Sequence, residues 1–335
     1  MSRKSVRMKA VAALGVLCMT LAPAAFAGQP DKWLRPERAP EPADNPSTPE
    51  RVALGKALFF DPRLSGSDWI SCSSCHNPGM GWSDGLATGI GDGMKRLKRA
   101  TPTILNAAFQ PQLMWDGRQP SLEAQALGPI QADLEMNQDL PGLIKKLSQI
   151  DGYRLMFERA YPAEGITGPT IGKAIAAYER TILSTESPFD RWRKGDAGAV
   201  SAAAKRGFEL FGGKANCTAC HQGFNFTDNG FHNIGIKGNT DIGRYEHRKV
   251  AVLKGAFKTP TLRDVALTAP YMHNGAYRTL EEVVEHYDRG GDATDNLDPE
   301  MKPLKLSARE KADLVAFMKS LTGEPMQVVV PQLPN

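Results

Sequence analysis

The sequence predicts a mainly α-helical protein built as a tandem duplication of one unit. Strand signals are sparse along its 335 residues, whereas several stretches carry apolar residues at helical spacing. An internal repeat is the second observation, because TPTILNAA at 101–108 matches TPTLRDVA at 259–266. The match continues without a gap at an offset of 158 (259 − 101), which places SLE at 121–123 on TLE at 279–281. Two successive copies of one helical unit follow from this repeat.

Composition supports a folded chain and excludes several classes. Hydrophobic residues make up 41% of the chain and charged residues 23%, enough apolar side chains for two ordinary domains. Collagen-like, coiled-coil and wholly disordered proteins have different compositions and are excluded. No alternating basic and aromatic pattern points to nucleic acid as a partner.

The first 27 residues have the pattern of a cleavable export signal. Four cations precede an apolar run at 10–22, and Ala25-Phe26-Ala27 supplies small residues for cleavage. The run is too short to span a bilayer, and no later stretch is long enough. Removing the four cations leaves 41 − 4 = 37 Lys and Arg against 37 Asp and Glu, so the exported chain is formally neutral. We expect a periplasmic protein without a membrane span.

The organisation after the signal follows from composition and periodicity. Residues 28–48 are rich in proline and acids and predict an extended arm. An N-terminal haem-type domain is expected at 49–194, a C-terminal one at 195–325 and a tail at 326–335. Residues 187–190 and 194–198 are predicted to form the linker. The predicted helices span 49–60, 140–150, 153–160, 171–183, 201–211, 280–287 and 308–321.

Two cysteine pairs, each followed by a histidine, carry the chemistry. The sequences CSSCH at 72–76 and CTACH at 217–221 both match the pattern for covalent haem c attachment. Two thiols one turn apart can bond the two vinyl groups of a haem, and the adjacent imidazole can ligate its iron. The motifs therefore predict two haems, held by Cys72, Cys75, Cys217 and Cys220, with His76 and His221 as iron ligands. A four-thiolate zinc site and two disulfides are the alternatives.

The repeat also indicates how the two haem sites differ. The offset places Pro129 on Tyr287, and proline cannot ligate iron whereas a tyrosine oxygen can. Tyr287 is therefore the expected second iron ligand in the C-terminal half, with His286, His273 and Met272 as competitors. The alternative is that Tyr287 belongs only to the apolar stripe of a helix.

The N-terminal site is expected to have an open iron face. The segment 77–101 contains no histidine and offers only Met80 and Met94 as soft ligands. Gln125 and Glu135 flank Pro129 in sequence; a carboxylate can move a proton between peroxide oxygens, and an amide can orient the ligand. The alternative for each is an exposed polar side chain.

Taken together, these motifs resemble the bacterial di-haem cytochrome c peroxidases and their relative MauG, over nearly all of 49–322. The resemblance implies two cytochrome c-type domains, two haem c groups and hydrogen peroxide as substrate. It implies that Gln125, Pro129 and Glu135 line the pocket of the peroxide-binding haem. It also implies that Trp115 relays electrons between the haems. Conventional members have methionine where MauG-like members have tyrosine, so Tyr287 and the missing loop histidine favour the MauG-like branch.

The resemblance leaves the partner and one metal open. The MauG-like hypothesis is an enzyme that stores oxidising equivalents on two haems and oxidises a partner protein, such as its tryptophan residues. One alternative is a peroxidase that takes electrons from cytochrome c or a cupredoxin, and another is a non-enzymatic electron carrier. The family's calcium site between the haems would use carbonyls of Thr268 and Pro270, but Ala100 stands where the family has asparagine.

Overall fold

The computed structural model describes residues 31–293 and 295–335; the predicted signal at 1–27 lies outside them. Helices dominate, and the only regular strands of the described residues, β1 (Phe231–His232) and β2 (Phe257–Lys258), pair antiparallel. No helix of the described residues is long and apolar enough to cross a bilayer. The helices are α1 (Pro49–Phe60), α2 (Cys72–Cys75), α3 (Leu122–Gln131), α4 (Leu140–Ser148), α5 (Asp151–Ala160), α6 (Gly168–Glu179), α7 (Pro188–Arg193), α8 (Ala202–Gly212), α9 (Leu280–Arg289) and α10 (Ala308–Ser320).

Side-chain caps set where most of these helices begin. The Thr48 hydroxyl accepts from the backbone N–H of Arg51, and Pro49 follows as the first helical residue, so α1 has the predicted bounds. Helix α6 starts at Gly168, earlier than predicted, because Thr167 and Thr170 form a reciprocal capping box. Helix α9 extends past its predicted end and stops where Gly290 adopts a left-handed conformation.

The linker prediction for 187–190 is wrong. Ser187 caps helix α7 by accepting from the backbone N–H of Asp190, and this cap begins a buried helix. Phe189 is fully buried in the C-terminal apolar core, and the Asp190 carboxylate pairs with buried Arg263 at 2.6 Å. A serine followed by proline therefore marks a helix start here rather than a flexible connection.

Two apolar cores correspond to the two halves. The first is built by α1 and α3 to α6, and the second by α7 to α10. The repeat extends to the backbone: helices α3 and α9 coincide at the 158-residue offset, and Asn106 and Asp264 share a left-handed conformation at φ 58° and 57°. The predicted fold class, mainly helical with two duplicated units, is confirmed.

One close helix crossing in each half shows that a second pair of helices is equivalent in the two copies. A Cβ on Gly55 of α1 would lie 1.8 Å from the carbonyl oxygen of Ala174 in α6. A Cβ on Gly207 of α8 would lie 2.0 Å from the carbonyl oxygen of Asp313 in α10. Helices α6 and α10 thus occupy equivalent places, related by an offset of 139 (313 − 174).

The chain outside the two units packs onto them. The described part of the arm has no helix or strand before α1, and Trp33 stacks on Phe226 in the C-terminal core. The tail returns to the N-terminal half, where the backbone N–H of Gly152 donates to the Asn335 carbonyl at 3.0 Å. Both terminal segments therefore contribute to packing.

Candidate functional site

A single large cavity contains both cysteine motifs. Its volume is about 1380 Å³, and its wall includes Cys72, Cys75, Cys217 and Cys220. Typical small-molecule sites measure roughly 300–1000 Å³, so this cavity suits ligands of greater bulk. The sequence has brought the two predicted attachment sites into one continuous space.

The two motif histidines are oriented as iron ligands. His76 Nδ1 lies 3.1 Å from the carbonyl oxygen of Trp82, and His221 Nδ1 lies 2.8 Å from that of Phe226. A hydrogen bond from Nδ1 to a carbonyl fixes the tautomer and leaves Nε2 as the donor to a metal. Burial lowers the pKa of both imidazoles, against the effect of those carbonyls, and favours the neutral ligating form.

The cysteine geometry disagrees with zinc and disulfide sites. All four cysteines in the described chain are unpaired thiols. Within residues 31–293 and 295–335, no cluster of metal-ligating side chains combines the two pairs. Burial raises the pKa of the Cys75 thiol to about 11 and of the Cys217 thiol to about 12.

A buried lysine provides a second test of the haem fit. Lys258 is 6% exposed and lines the cavity, and no carboxylate of the described residues pairs with its ammonium group. Burial lowers its pKa to about 8, although the charge of Asp228 opposes this effect. A haem carries two propionate carboxylates, which supply the kind of partner that a buried ammonium needs. The cavity residues therefore fit two haem c groups.

The predicted pocket residues of the N-terminal half all lie in the cavity wall. They are Gln125, Pro129 and Glu135. The Gln125 side chain donates from Nε2 to Met114 Sδ at 3.6 Å, and burial raises the pKa of Glu135 although Arg118 opposes it. Helix α3 carries Gln125 and Pro129, and the backbone of Glu135 is fixed where its carbonyl accepts from Asp92 at 2.7 Å.

The two methionines after the first motif point away from this pocket. Met80 is 42% exposed and Met94 is 66% exposed, and neither lines the cavity. The structure thus leaves the N-terminal site without a soft ligand from the segment 77–101. This arrangement supports the expectation of an open iron face.

Trp115 lies at the contact between the halves. Its indole Nε1 donates to the Ala100 carbonyl at 2.9 Å, and its ring centroid is 6.5 Å from that of His273. The His273 ring in turn stacks on Phe257 at 3.6 Å. Because Trp115 and His273 are equivalent in the repeat, the two copies place an aromatic ring each at this contact.

In the C-terminal half, hydrogen bonding separates Tyr287 from the competing histidines. His286 Nε2 lies 2.9 Å from the Ile234 carbonyl, and His286 Nδ1 lies 2.8 Å from the Tyr277 hydroxyl. His273 Nε2 lies 3.1 Å from Asn239 Oδ1. Tyr287 lines the cavity, as His273 does, and burial, followed by the charges of the Cys217 and Cys220 sulfurs, raises the pKa of the Tyr287 phenol.

The residues predicted to bind calcium provide few oxygen ligands. Ala100 has no side-chain oxygen, and its carbonyl already accepts from Trp115. Thr268 and Pro270 line the cavity and offer two backbone carbonyls. Calcium takes six to eight oxygen ligands, so these residues alone do not fit it.

Four chemically notable residues of the cavity wall were not among the site residues predicted from the sequence. They are Met114, Glu179, His232 and Lys258. Met114 could have been found, because the offset of 158 places it on Met272. His232 lies between the carboxylates of Asp228 at 3.0 Å and Asp298 at 2.7 Å, and only the second of these partners is distant in sequence.

Comparison with known proteins agrees with this geometry. The family model for di-haem cytochrome c peroxidase matches residues 49–198, and the cytochrome c model matches 204–322. The chain is 49% identical to the methylamine utilization protein MauG of Methylorubrum extorquens, over 90% of this chain and 87% of that one. It is 40% identical to a cytochrome-c peroxidase of Denitromonas iodatirespirans, over 88% of each chain.

A solved structure shows the same fold. It is described as a MauG-like protein associated with microbial copper homeostasis. It superposes with a TM-score of 0.81 at 32% identity and covers 90% of this chain and 96% of its own. The chain therefore belongs to the di-haem cytochrome c peroxidase and MauG family, and it is a di-haem peroxidase that carries haem c.

Proposed function

We propose that this protein reduces hydrogen peroxide in its N-terminal half and uses the resulting oxidising equivalents on a partner protein at its surface. Peroxide takes two electrons and two protons to become two waters, and the electrons come from the partner. The observation that carries the MauG-like assignment is Tyr287, which faces the C-terminal cavity while both competing histidines are held by other groups. We further propose that the protein acts in the periplasm after removal of residues 1–27.

The N-terminal residues would manage the protons of peroxide. Burial raises the pKa of Glu135 and so makes its carboxylate a stronger base, which can take a proton from the inner oxygen and then hand that same proton to the outer oxygen. The Gln125 amide, held by Met114, can orient the bound oxygen by donating a hydrogen bond. Pro129 supplies no ligand atom, so it keeps the pocket free for peroxide.

The two haems would be coupled through Trp115. Each haem c, when bound, supplies an iron that exchanges electrons with its surroundings. Trp115 is half-buried, and its indole N–H is fixed on the Ala100 carbonyl. Its contact with His273 gives a short aromatic connection between the two halves. The indole would therefore relay electrons between the two halves from a fixed position.

Tyr287 would set the chemistry of the C-terminal site. A tyrosine oxygen is an anionic donor that favours higher oxidation states of iron. Methionine would instead favour the reduced state, as expected of an electron-entry haem. Met272 also lines the cavity, so it is the remaining competitor within this site.

The partner would be oxidised through the surface. Tryptophan side chains of a partner protein are the proposed target, on the analogy of the methylamine utilization relative. A small cytochrome c or a cupredoxin is the alternative donor, as in conventional peroxidases. In both cases the partner gives electrons to the protein rather than entering the cavity.

The deciding experiment replaces Tyr287 with Phe and with Met. Rapid mixing of peroxide with the fully oxidised wild-type protein should change its Soret spectrum at once and give a long-lived oxidised state. Both variants should keep two haems and lose the long lifetime, since the anionic oxygen is gone. Tyr245→Phe is the control, because the Tyr245 ring lies against Lys249. An unchanged lifetime in Tyr287→Phe would remove this residue, and a wild-type response only after half-reduction would support the conventional peroxidase.

A further inference from the structure

Glu179 is a buried acid that the proposed mechanism does not use. It is the last residue of α6, is 5% exposed and lines the cavity near Cys72. Its Oε2 atom is buried, and no hydrogen-bond partner for it exists in the described chain. Ile175, one helical turn earlier, lines the same cavity, so this face of α6 points at the N-terminal site.

The C-terminal half shows that the fold does not require an acid here. The offset of 139 places Ile175 on Leu314 and Glu179 on Met318. Leu314 and Met318 also line the cavity from α10, so the two helix faces have the same role. A buried methionine is neutral and packs well, whereas a buried carboxyl without a partner costs stability. Glu179 is therefore a difference in chemistry between otherwise equivalent walls.

The nearest cation to Glu179 is already hydrogen-bonded to another carboxylate. Arg180 is the nearest cation, but its Nη2 donates to Glu123 Oε1 at 2.5 Å. Glu123 also accepts from Asn45 Nδ2 at 2.9 Å, so that carboxylate remains ionised beside Arg180. Tyr178 is the neighbouring titratable group on α6.

Groups across the cavity complete these surroundings. Cys72 interacts electrostatically with Glu179, and its sulfur carries no proton once it is bonded to haem. Cys75 and Glu135 also line the cavity. Burial raises the pKa of Glu179 to about 8, with Arg180 opposing and Glu123 adding to the effect.

We infer that Glu179 couples protons to electrons in the N-terminal half: its carboxylate takes a proton from solvent when the haem iron there gains an electron, and returns it when that electron leaves. One electron and one proton enter together, so the charge of the cavity is unchanged. A buried carboxyl responds strongly to a nearby change of charge because the interior screens it weakly. This inference rests on the N-terminal haem of the function proposed above.

The test is infrared difference spectroscopy of the holoprotein between its oxidised and reduced states. The C=O stretch of a protonated carboxyl is separate from carboxylate bands and shifts in deuterium oxide. At pH 9, where Glu179 is mostly ionised in the oxidised protein, wild type should gain such a band on reduction. Glu179→Gln and Glu179→Met, the residue of the C-terminal half, should lose it. Glu164→Gln, an exposed acid paired with Lys173, should keep it.

A redox titration between pH 6 and 9 gives the second readout. At a fixed potential, the ratio of reduced to oxidised N-terminal haem in wild type should fall as the pH rises, by up to about tenfold per pH unit above the pKa of Glu179, about 8. This dependence should flatten in Glu179→Gln, while the C-terminal haem, with Met318 beside it, should not respond to the substitution. A merely structural role would lower stability and leave the slope unchanged.

Persistence of the band and the slope in Glu179→Gln would overturn the inference. So would a wild-type protein with no carboxyl band, which needs no variant to fold. If the Glu179 variants fail to mature, loss of the whole band in Glu135→Gln would likewise overturn it, and retention there would support it. Failure of this inference would leave the peroxide reaction of the oxidised protein intact, so it is distinguishable from failure of the proposed function.

Discussion

The N-terminal and C-terminal halves share a backbone and differ at a few cavity positions. Helices α3 and α9 coincide in the repeat, and α6 and α10 meet their partner helices at equivalent glycines. At matching places, however, Pro129 stands for Tyr287, and Glu179 for Met318. At these two positions the N-terminal half has a proline and an acid, whereas the C-terminal half has a phenol and a thioether.

This difference indicates how one duplicated helical unit can hold two haem sites with different proposed roles. Both halves orient a histidine by the same Nδ1 hydrogen bond to a backbone carbonyl. The two groups proposed to handle protons, Glu135 and Glu179, both belong to the half proposed to meet peroxide. The other half carries the proposed anionic ligand, Tyr287. Duplication therefore preserved attachment of the cofactor, and substitution of individual wall residues divided the chemistry.

The strongest way to break this comparison is Glu135→Gln. The repeat places Glu135 on Ala293, so the C-terminal half has no equivalent acid. We expect the rate of reaction with peroxide to fall by ~10²–10⁴, the usual contribution of a general acid–base group. Stopped-flow mixing with peroxide measures it, and Glu158→Gln on the exposed face of α5 is the control. A wild-type rate would show that the N-terminal half does not handle the proton through this residue.

A stability difference between the halves is tested by Asp190→Asn. Arg263 is fully buried against Asp190, whereas the repeat places Leu105 at the equivalent N-terminal position. Removing the carboxylate leaves a buried guanidinium unpaired, so we expect the free energy of unfolding to fall by about 3–5 kcal/mol. Denaturant unfolding monitored by circular dichroism measures the loss. Asp196→Asn on the exposed turn after α7 should change little, and an equal loss there would contradict the prediction.

Low pH should weaken the same contact between Asp190 and Arg263. Burial opposes ionisation of Asp190, but Arg263 and Ser187 outweigh it and hold the pKa of the carboxyl below its usual value. The stabilisation is therefore complete above the unfolded pKa, near 3.9, and is lost as the pH falls through the lower folded value. In Asp190→Asn this part of the acid dependence should disappear.

The smallest expected effect concerns the close helix crossings that both halves contain. Gly55→Ala and Gly207→Ala each place a methyl group against a backbone carbonyl of the crossing helix. Overpacking of this kind costs about 1–3 kcal/mol, so both variants should unfold at lower temperature. Calorimetry measures it, with Gly198→Ala as a control where the nearest atom is 3.5 Å away. A large effect in only one half would show that the two crossings are not equivalent.

Sequence reasoning reached the fold class through two kinds of pattern. The repeat and the helical periodicity predicted duplicated helical units, and the two cysteine motifs predicted two haem sites. The linker prediction for 187–190 is wrong, because Ser187 followed by Pro188 begins a helix there. Sequence reasoning also missed Glu179, whose position at the end of α6 gives no sign of facing a cavity.

The sequence by itself determined the local chemistry of this protein: which residues attach haem, which histidines follow them, and which positions of the repeat differ. These features depend on spacing along one or two turns, where chain geometry leaves little freedom. Only the tertiary structure decided which side chains share the cavity and which are held elsewhere. Tyr287 and His286 are neighbours in sequence, yet His286 is held by Ile234 and Tyr277 while Tyr287 faces the cavity, because hydrogen-bond partners come from distant segments.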